Sequence, residues 1–332
     1  MKHLLLAAAA ASLALPVTAQ EPAPIPSPGE IAAAAPASDW IAIAPSELLV
    51  MNLAPDAKGK PRRVVIQLMP APFSQGWIGN IRKLAAGHWW DGTSVNRVQD
   101  NYVVQWGDAT EKKALPEGLV RVPESAYLVS EPAESMPIIE TFHRNKERLK
   151  ALVKEKRSGK ALVIYAPDMR TKVDPYAGIQ GFSGGWPLAG SGGVWPVHCY
   201  GMVGVGRNLS PDTGSGAELY TVVGHAPRHL DQNIALVGRV VGGIEHLSSL
   251  PRGTGALGFY ESEAERVPIA SVRIASEFAV ADQPRFEYLS TESDSFARYA
   301  DARANRRDPF FIKPAGGADI CNIPVPVRAV AK

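Results

Sequence analysis

Residues Trp89 to Asp108 read WWDGTSVNRVQDNYVVQWGD, and the stretch splits into two short strands. Thr93–Val98 and Tyr102–Trp106 are rich in the β-branched and aromatic residues that suit a pleated, half-buried surface. Asp100-Asn101 lies between them as the turn. Period-two alternation puts Arg97 on the face of Val95, and Val103 on the face of Gln105, with Val104 pointing the other way. One face then carries a cation, an amide and apolar side chains together. A hairpin without chemistry needs only an apolar core face and a solvated arginine, so the hairpin alone assigns no function.

Upstream, Arg63–Met69 (RVVIQLM) reads as a strand. Phe73–Gly87 follows as an amphipathic helix, with Trp77, Ile81, Leu84 and Ala85 on one stripe, Ile78 widening it and Gly87 ending it. That stripe is expected to cap a sheet. Order is expected to start near Asp39-Trp40, with an apolar stretch to Leu53 and a turn over Pro55–Pro61. Residues 20–38 are rich in Pro and Ala with little charge and read as a flexible linker. Met1–Ala19 opens with Lys2 and His3, runs through a short Leu/Ala segment and ends on small residues, the pattern of a cleaved signal peptide; the apolar run is too short to span a bilayer. The expected location is the periplasm of a bacterium, with no stable membrane anchor.

Downstream, Cys199–Leu250 adds a second set of pieces. Met202-Val203-Gly204 lies in a strand, Gly216-Ala217-Glu218-Leu219-Tyr220 leads into another, and Leu230-Asp231 is a loop. Leu236–Val240 is a further strand and Gly243-Ile244-Glu245 opens a helix. Together with Asn80, the turn Trp90-Asp91-Gly92, Arg97 and Gln105-Trp106-Gly107-Asp108, this order resembles the cyclophilin family of peptidyl-prolyl isomerases over about residues 63–108 and 200–279. The resemblance implies a mainly β fold: a closed antiparallel eight-stranded barrel capped by two helices, with a mixed insertion and a C-terminal extension. Val267–Ala275 is expected to supply the last barrel strand. The barrel domain spans 39–279, is interrupted by the insertion at about 109–199, and is followed by an extension, 280–332, packing on the barrel.

The same resemblance implies a site. Arg97 would stabilise the twisted X-Pro amide and Gln105 would hydrogen-bond substrate backbone. Tyr102, Val103, Tyr220 and Leu230 would form the proline pocket, with Glu218 beside it and His229 at its rim. Several of these depart from the usual family residues: Tyr102 and Tyr220 stand where Phe is usual, Val103 for Met, His229 for Trp, Gly204 for Asn, Glu218 for Gln, Ile234 for His and Asn96 for the His before the arginine. The expected partners are proline-containing polypeptides in folding envelope proteins, without cofactor or metal, and the chain is expected to be a monomer. A cyclophilin-like chaperone or peptide-binding module with little isomerase activity is the alternative.

The intervening segment carries its own expectations. Thr110–Tyr127 is polar with strand-like pieces, and Met136–Ser158 reads as a helix with Pro137 in its first turn and cations Lys154–Arg157 at its end. Ala161–Tyr165 reads as a strand and Gly178–Gly193 as a Gly-rich loop. Beyond the barrel, Ser293–Arg307 reads as a charged helix, with extended pieces at Pro309–Ile312 and Cys321–Val327. The only cysteines, Cys199 and Cys321, either pair as one disulfide in an oxidising compartment or remain buried thiols. His198 has no CxxC or HxxxH partner spacing for a metal.

The other function classes find little support. The 332 residues are 45% hydrophobic and 20% charged with net charge +2, which offers no basic field for nucleic acid. Asp212-Thr213-Gly214-Ser215 lacks the second Asp loop of an aspartic protease. No helix follows Gly201, Gly204 and Gly206 to receive a phosphate, and there is no Gly-x-Ser-x-Gly elbow.

Overall fold

A computed structural model describes residues 25–155 and 174–331. In chain order its elements begin with α1 (Pro28–Ala33), β1 (Trp40–Ala42), β2 (Leu48–Leu53), β3 (Arg62–Leu68), α2 (Gln75–Ala86), β4 (Ser94–Val98) and β5 (Val103–Gly107). Next come α3 (Pro132–Glu155), β6 (Ile179–Ser183), β7 (Trp186–Gly190) and β8 (Val194–Pro196). The chain then forms β9 (Met202–Val205), β10 (Leu219–Val222), β11 (Leu236–Gly242), α4 (Glu245–Ser248) and β12 (Val267–Ile274). It ends with β13 (Phe286–Leu289), α5 (Asp294–Ala304) and β14 (Val327–Ala329).

Eight strands close into an antiparallel barrel in the order β10-β5-β4-β12-β2-β3-β11-β9. Closure leaves no edge to pair with another chain. Leu49, Met51 and Leu53 of β2 point into the barrel with Val64, Ile66, Val104, Trp106, Val203 and Val272. Leu48 and Val50 face outward, yet they are buried, because Phe278, Phe286 and Tyr288 of the C-terminal part cover them. The uninterrupted apolar run of β2 is thus explained by burial on both faces. Helix α2 closes one end of the barrel with Trp77, Ile81 and Leu84, all fully buried. The second cap is a single turn, α4, which buries Leu247 and stops before Pro251.

Several expectations are corrected. The stretch ahead of the barrel is not a bare linker, since Pro28–Ala33 is helical. Ser27 and Glu30 form a reciprocal capping box with Pro28 at the first position, and Ile31, Ala32 and Ala35 pack beside Trp40, Leu289 and Phe296. Thr110–Tyr127 contains no strand, only a short 3-10 turn at Glu124–Tyr127. Its backbone is tied to α2 and the following turn instead: Asn80 exchanges hydrogen bonds with both groups of Val120 at 2.8 Å, and Trp89 Nε1 donates to Ala114 at 2.9 Å. Side chains thereby satisfy backbone groups that a sheet would otherwise serve.

Helix α3 starts at Pro132, four residues before Met136, so Pro137 lies inside it rather than in its first turn. The Glu131 carbonyl accepts from Glu134 and Ser135 and begins the turn there. Gly178–Gly193 is not a loop but most of a three-stranded sheet, β6-β7-β8. Ser183 pairs Trp186 across Gly184-Gly185, whose φ values of 58° and 83° make a two-residue turn that glycine favours. The glycines that suggested a loop are what let this hairpin turn tightly. Ala161–Tyr165 and Met1–Ala19 lie outside the described residues.

The sheet docks on the barrel through Arg239 of β11. Its Nε donates to Gln67 Oε1 at 2.9 Å and its Nη1 to the Gly185 carbonyl at 2.7 Å. The guanidinium also lies 4.4 Å from the Trp186 ring centre and 5.5 Å from that of Tyr288. A third sheet, β1-β13-β14, unites the two ends of the described chain. Strands β13 and β14 were not expected from the sequence. Cys199 and Cys321 form a disulfide with Cα atoms 5.0 Å apart, fastening the residues before β9 to the C-terminal part.

Candidate functional site

Strands β4 and β5 are antiparallel, but their register shifts between Val95 and Arg97. Val95 opposes Trp106, Arg97 opposes Gln105 and Val98 opposes Val104. Asn96 is the extra residue. A bulge of this kind resets alternation, so Val95 and Val98 both enter the core although they are three residues apart. Arg97 is therefore on the face opposite Val95, contrary to strict alternation, and joins Asn96, Val103 and Gln105 on the outer wall of the barrel.

That wall borders an open groove of about 790 Å³. It brings together seven expected residues, Arg97, Tyr102, Val103, Gln105, Glu218, Tyr220 and Leu230. His229 is exposed beside them, its ring nearly parallel to Tyr102 with centres 6.5 Å apart. Val103, Tyr220 and Val222 form a small apolar cluster with Tyr102 and Ile234 against it.

The arginine is held on three sides. Its Nε donates to the Leu257 carbonyl at 2.8 Å and Nη1 to Gln105 Oε1 at 3.2 Å, while Nη2 donates to Gln99 Oε1. Its carbon Cζ lies 5.3 Å from the Phe259 ring centre and 5.8 Å from that of Tyr102. Burial pushes its pKa down, only partly offset by Tyr102. Among the described residues no carboxylate forms an ion pair with it. The cation is oriented by neutral acceptors and rings, so its field is not cancelled by a neighbouring charge.

Leu257 and Phe259 were missed by sequence reading. They come from the loop between α4 and β12, and the only sequence signal was a pair of large apolar residues flanking Gly258 in a polar stretch. Asn96 was read as a replacement for a family histidine and not as a bulge.

Gln105 spans two partners, accepting from Arg97 and placing its Nε2 3.5 Å from Glu218 Oε2. Asn96 Nδ2 is also 3.5 Å from that oxygen. Burial pushes the Glu218 carboxyl upward, against the lowering effect of these amides. Tyr220 is buried and its hydroxyl meets His198 Nε2 at 2.9 Å. Sequence spacing offers His198 no metal partner, and among the described residues no cluster of three or more His, Cys, Asp or Glu could hold a metal ion.

Among the described residues of the groove, the hydroxyl that faces an imidazole, that of Tyr220, is buried with it. What the arrangement can do is grip an extended chain, bury a small apolar ring against Val103 and Tyr220, and hold a cation beside a backbone amide.

A family model described as cyclophilin type peptidyl-prolyl cis-trans isomerase/CLD matches residues 62–276. Among solved structures, the chain is similar to a cyclophilin from Hirschia baltica, with 19% identity and a TM-score of 0.58 over 87% of this chain and 93% of that one. It also matches a cyclophilin-type isomerase of Cryptosporidium parvum at 10% identity and a TM-score of 0.35, over 68% of this chain and 98% of the other. No curated protein matches it.

Proposed function

The chain belongs to the cyclophilin-type peptidyl-prolyl cis-trans isomerases, and from that premise we propose that Arg97 is its catalytic residue, acting on X-Pro bonds of envelope proteins as they fold. Rotation about such a bond is opposed by amide resonance, with a barrier of about 18–20 kcal/mol. At the top of the barrier the conjugation is broken and the nitrogen is pyramidal. Its lone pair is then free to accept a hydrogen bond. A guanidinium fixed beside the groove stabilises that state more than the planar amide, which is the differential binding that catalysis requires.

The supporting observation is the setting of Arg97, oriented by Leu257, Gln105 and Gln99 without a carboxylate. Val103 and Tyr220 supply the apolar surface for the proline ring, Tyr102, Leu230 and His229 its rim, and Gln105 a partner for substrate backbone. Glu218 orients the Gln105 amide from behind. The periplasmic setting is supported by the Met1–Ala19 pattern and by the Cys199–Cys321 bond, since disulfides persist in oxidising compartments. The reading takes the chain as a monomer without cofactor.

Isomerisation of a proline peptide, followed on wild type and Arg97→Ala, tests the role. Loss of about a hundredfold in kcat/KM is expected, the scale of removing one preorganised donor from a transition state. Equal activity in both proteins rejects Arg97 as catalyst. Absence of activity in wild type favours the binding or chaperone alternative.

A further inference from the structure

The groove face of Tyr220 has a buried back side that the isomerase chemistry leaves unused. Its hydroxyl lies 2.9 Å from His198 Nε2, and the two rings are nearly parallel at 11°. On the far side of the imidazole, His198 Nδ1 is 2.8 Å from Asp231 Oδ1, which also accepts the His198 backbone N–H at 3.0 Å. Asp231 Oδ2 accepts from Arg228 Nε at 2.6 Å, and Arg228 Nη2 donates to Asp174 Oδ2 at 2.8 Å. Arg228 Nη1 is 3.9 Å from Asp319 Oδ2. The His198, Asp231, Arg228 and Asp174 side chains are only 1%, 3%, 4% and 4% exposed.

Burying so many charges carries a desolvation cost that well-directed partners offset, here at every polar group of the line except Arg228 Nη1, which has no hydrogen-bond partner among the described residues. The proton positions follow from the partners. Asp231 accepts, so Nδ1 carries the imidazole proton. Burial keeps His198 below the ordinary histidine range and Tyr220 well above the ordinary tyrosine range. The neutral ring therefore accepts the Tyr220 O–H at Nε2, and the whole line has one consistent arrangement of donors.

The backbone has been cleared for this contact. A Cβ on Gly204 would lie 2.4 Å from the Tyr220 hydroxyl, so no other residue leaves room for it. Tyr220 in place of Phe and Gly204 in place of Asn are thus one feature and not two unrelated departures.

We propose that His198 and Asp231 are positioning residues that lock the Tyr220 ring as a rigid, specificity-determining floor of the proline groove, an inference that rests on the isomerase reading. The lock reaches outside the barrel. Asp174 belongs to the segment before β6, Asp319 lies two residues before Cys321, and His198 adjoins Cys199. The floor of the groove is therefore held from the two parts of the chain that surround the barrel.

A double-mutant cycle on the full chain tests this, using isomerisation kinetics and the Kd of a short Ala-Pro peptide. His198→Phe is expected to raise KM and Kd about tenfold with a smaller change in kcat, because the ring loses its anchor while Arg97 is untouched. His198→Gln, which can still accept the hydroxyl proton, is expected to remain within about threefold of wild type. Added to Tyr220→Phe, the His198→Phe change is expected to cost less than about twofold, since the shared contact is already gone. Additive effects, or a fall in melting temperature with KM and Kd unchanged, overturn the inference and leave the network a purely structural one. If His198→Phe does not fold, the His198→Gln and Tyr220→Phe proteins carry the comparison: unchanged KM and Kd in Tyr220→Phe overturn it. Absence of isomerase activity in wild type rejects the proposed function instead, and the peptide Kd still reads the lock.

Discussion

Arg97 keeps its charge beside a groove with only neutral acceptors around it. A lysine there would retain charge but could not reach three acceptors from one planar group. Arg97→Lys is expected to lose about a hundredfold in kcat/KM, close to the alanine variant, as measured in the same assay. Glu218 presents the opposite case, a carboxyl raised by burial. The folded chain binds this proton more readily than the unfolded chain. Stability therefore falls as pH rises from the ordinary carboxylate range through the raised value, and stays lower above it. Glu218→Gln keeps an acceptor for Asn96 and Gln105 but removes the charge. It is expected to melt above wild type at neutral pH, with the gap narrowing as pH falls through the ordinary carboxylate range. A scan of melting temperature against pH checks the sign. Residue identities at the site were legible in the sequence because the Arg97, Gln105, Tyr220 and Leu230 positions follow a recognisable order. The acceptor at Leu257 was not, because it is a backbone carbonyl, which any residue could provide.

The elements show where periodicity misleads. In β4 one extra residue, Asn96, turns Arg97 away from the face of Val95 and into the groove. A bulge has no composition of its own, so only pairing with β5 reveals it. In β6-β7 the glycines suggest a loop and instead form the turn of a hairpin whose second strand, β7, is buried. Arg239 then joins that hairpin to β11 while burial pushes its pKa down to about 10. Arg239→Ala removes the donor to the Gly185 carbonyl, leaves Gln67 Oε1 without it and opens space beneath Trp186. A loss of about 2–4 kcal/mol in stability is expected from these effects together, read as a shift in urea midpoint.

At the scale of the molecule, the disulfide is the long-range tie. Cys199 and Cys321 are separated by 122 residues, and closing so long a loop restricts the unfolded chain strongly. Reduction, or Cys199→Ala with Cys321→Ala, is expected to lower stability by about 3–5 kcal/mol in denaturant titrations. The local pattern of residues was enough for individual strands and for cap α2, and the order of motifs, through its resemblance to the cyclophilin family, implied the barrel and the groove residues. The strands and the cap are local features: β-branched runs of period two, one helical stripe, and turns with characteristic residues. Tertiary structure alone decided the face on which Arg97 stands, the cover over Leu48 and Val50, the disulfide pairing, and the line from Asp174 through Arg228, Asp231 and His198 to Tyr220. The first depends on the register of the β4–β5 hairpin, which no residue type announces; the others depend on residues far apart in sequence whose meeting is fixed only by barrel closure and by the packing of its surrounding parts, and a one-dimensional pattern carries no term for that distance.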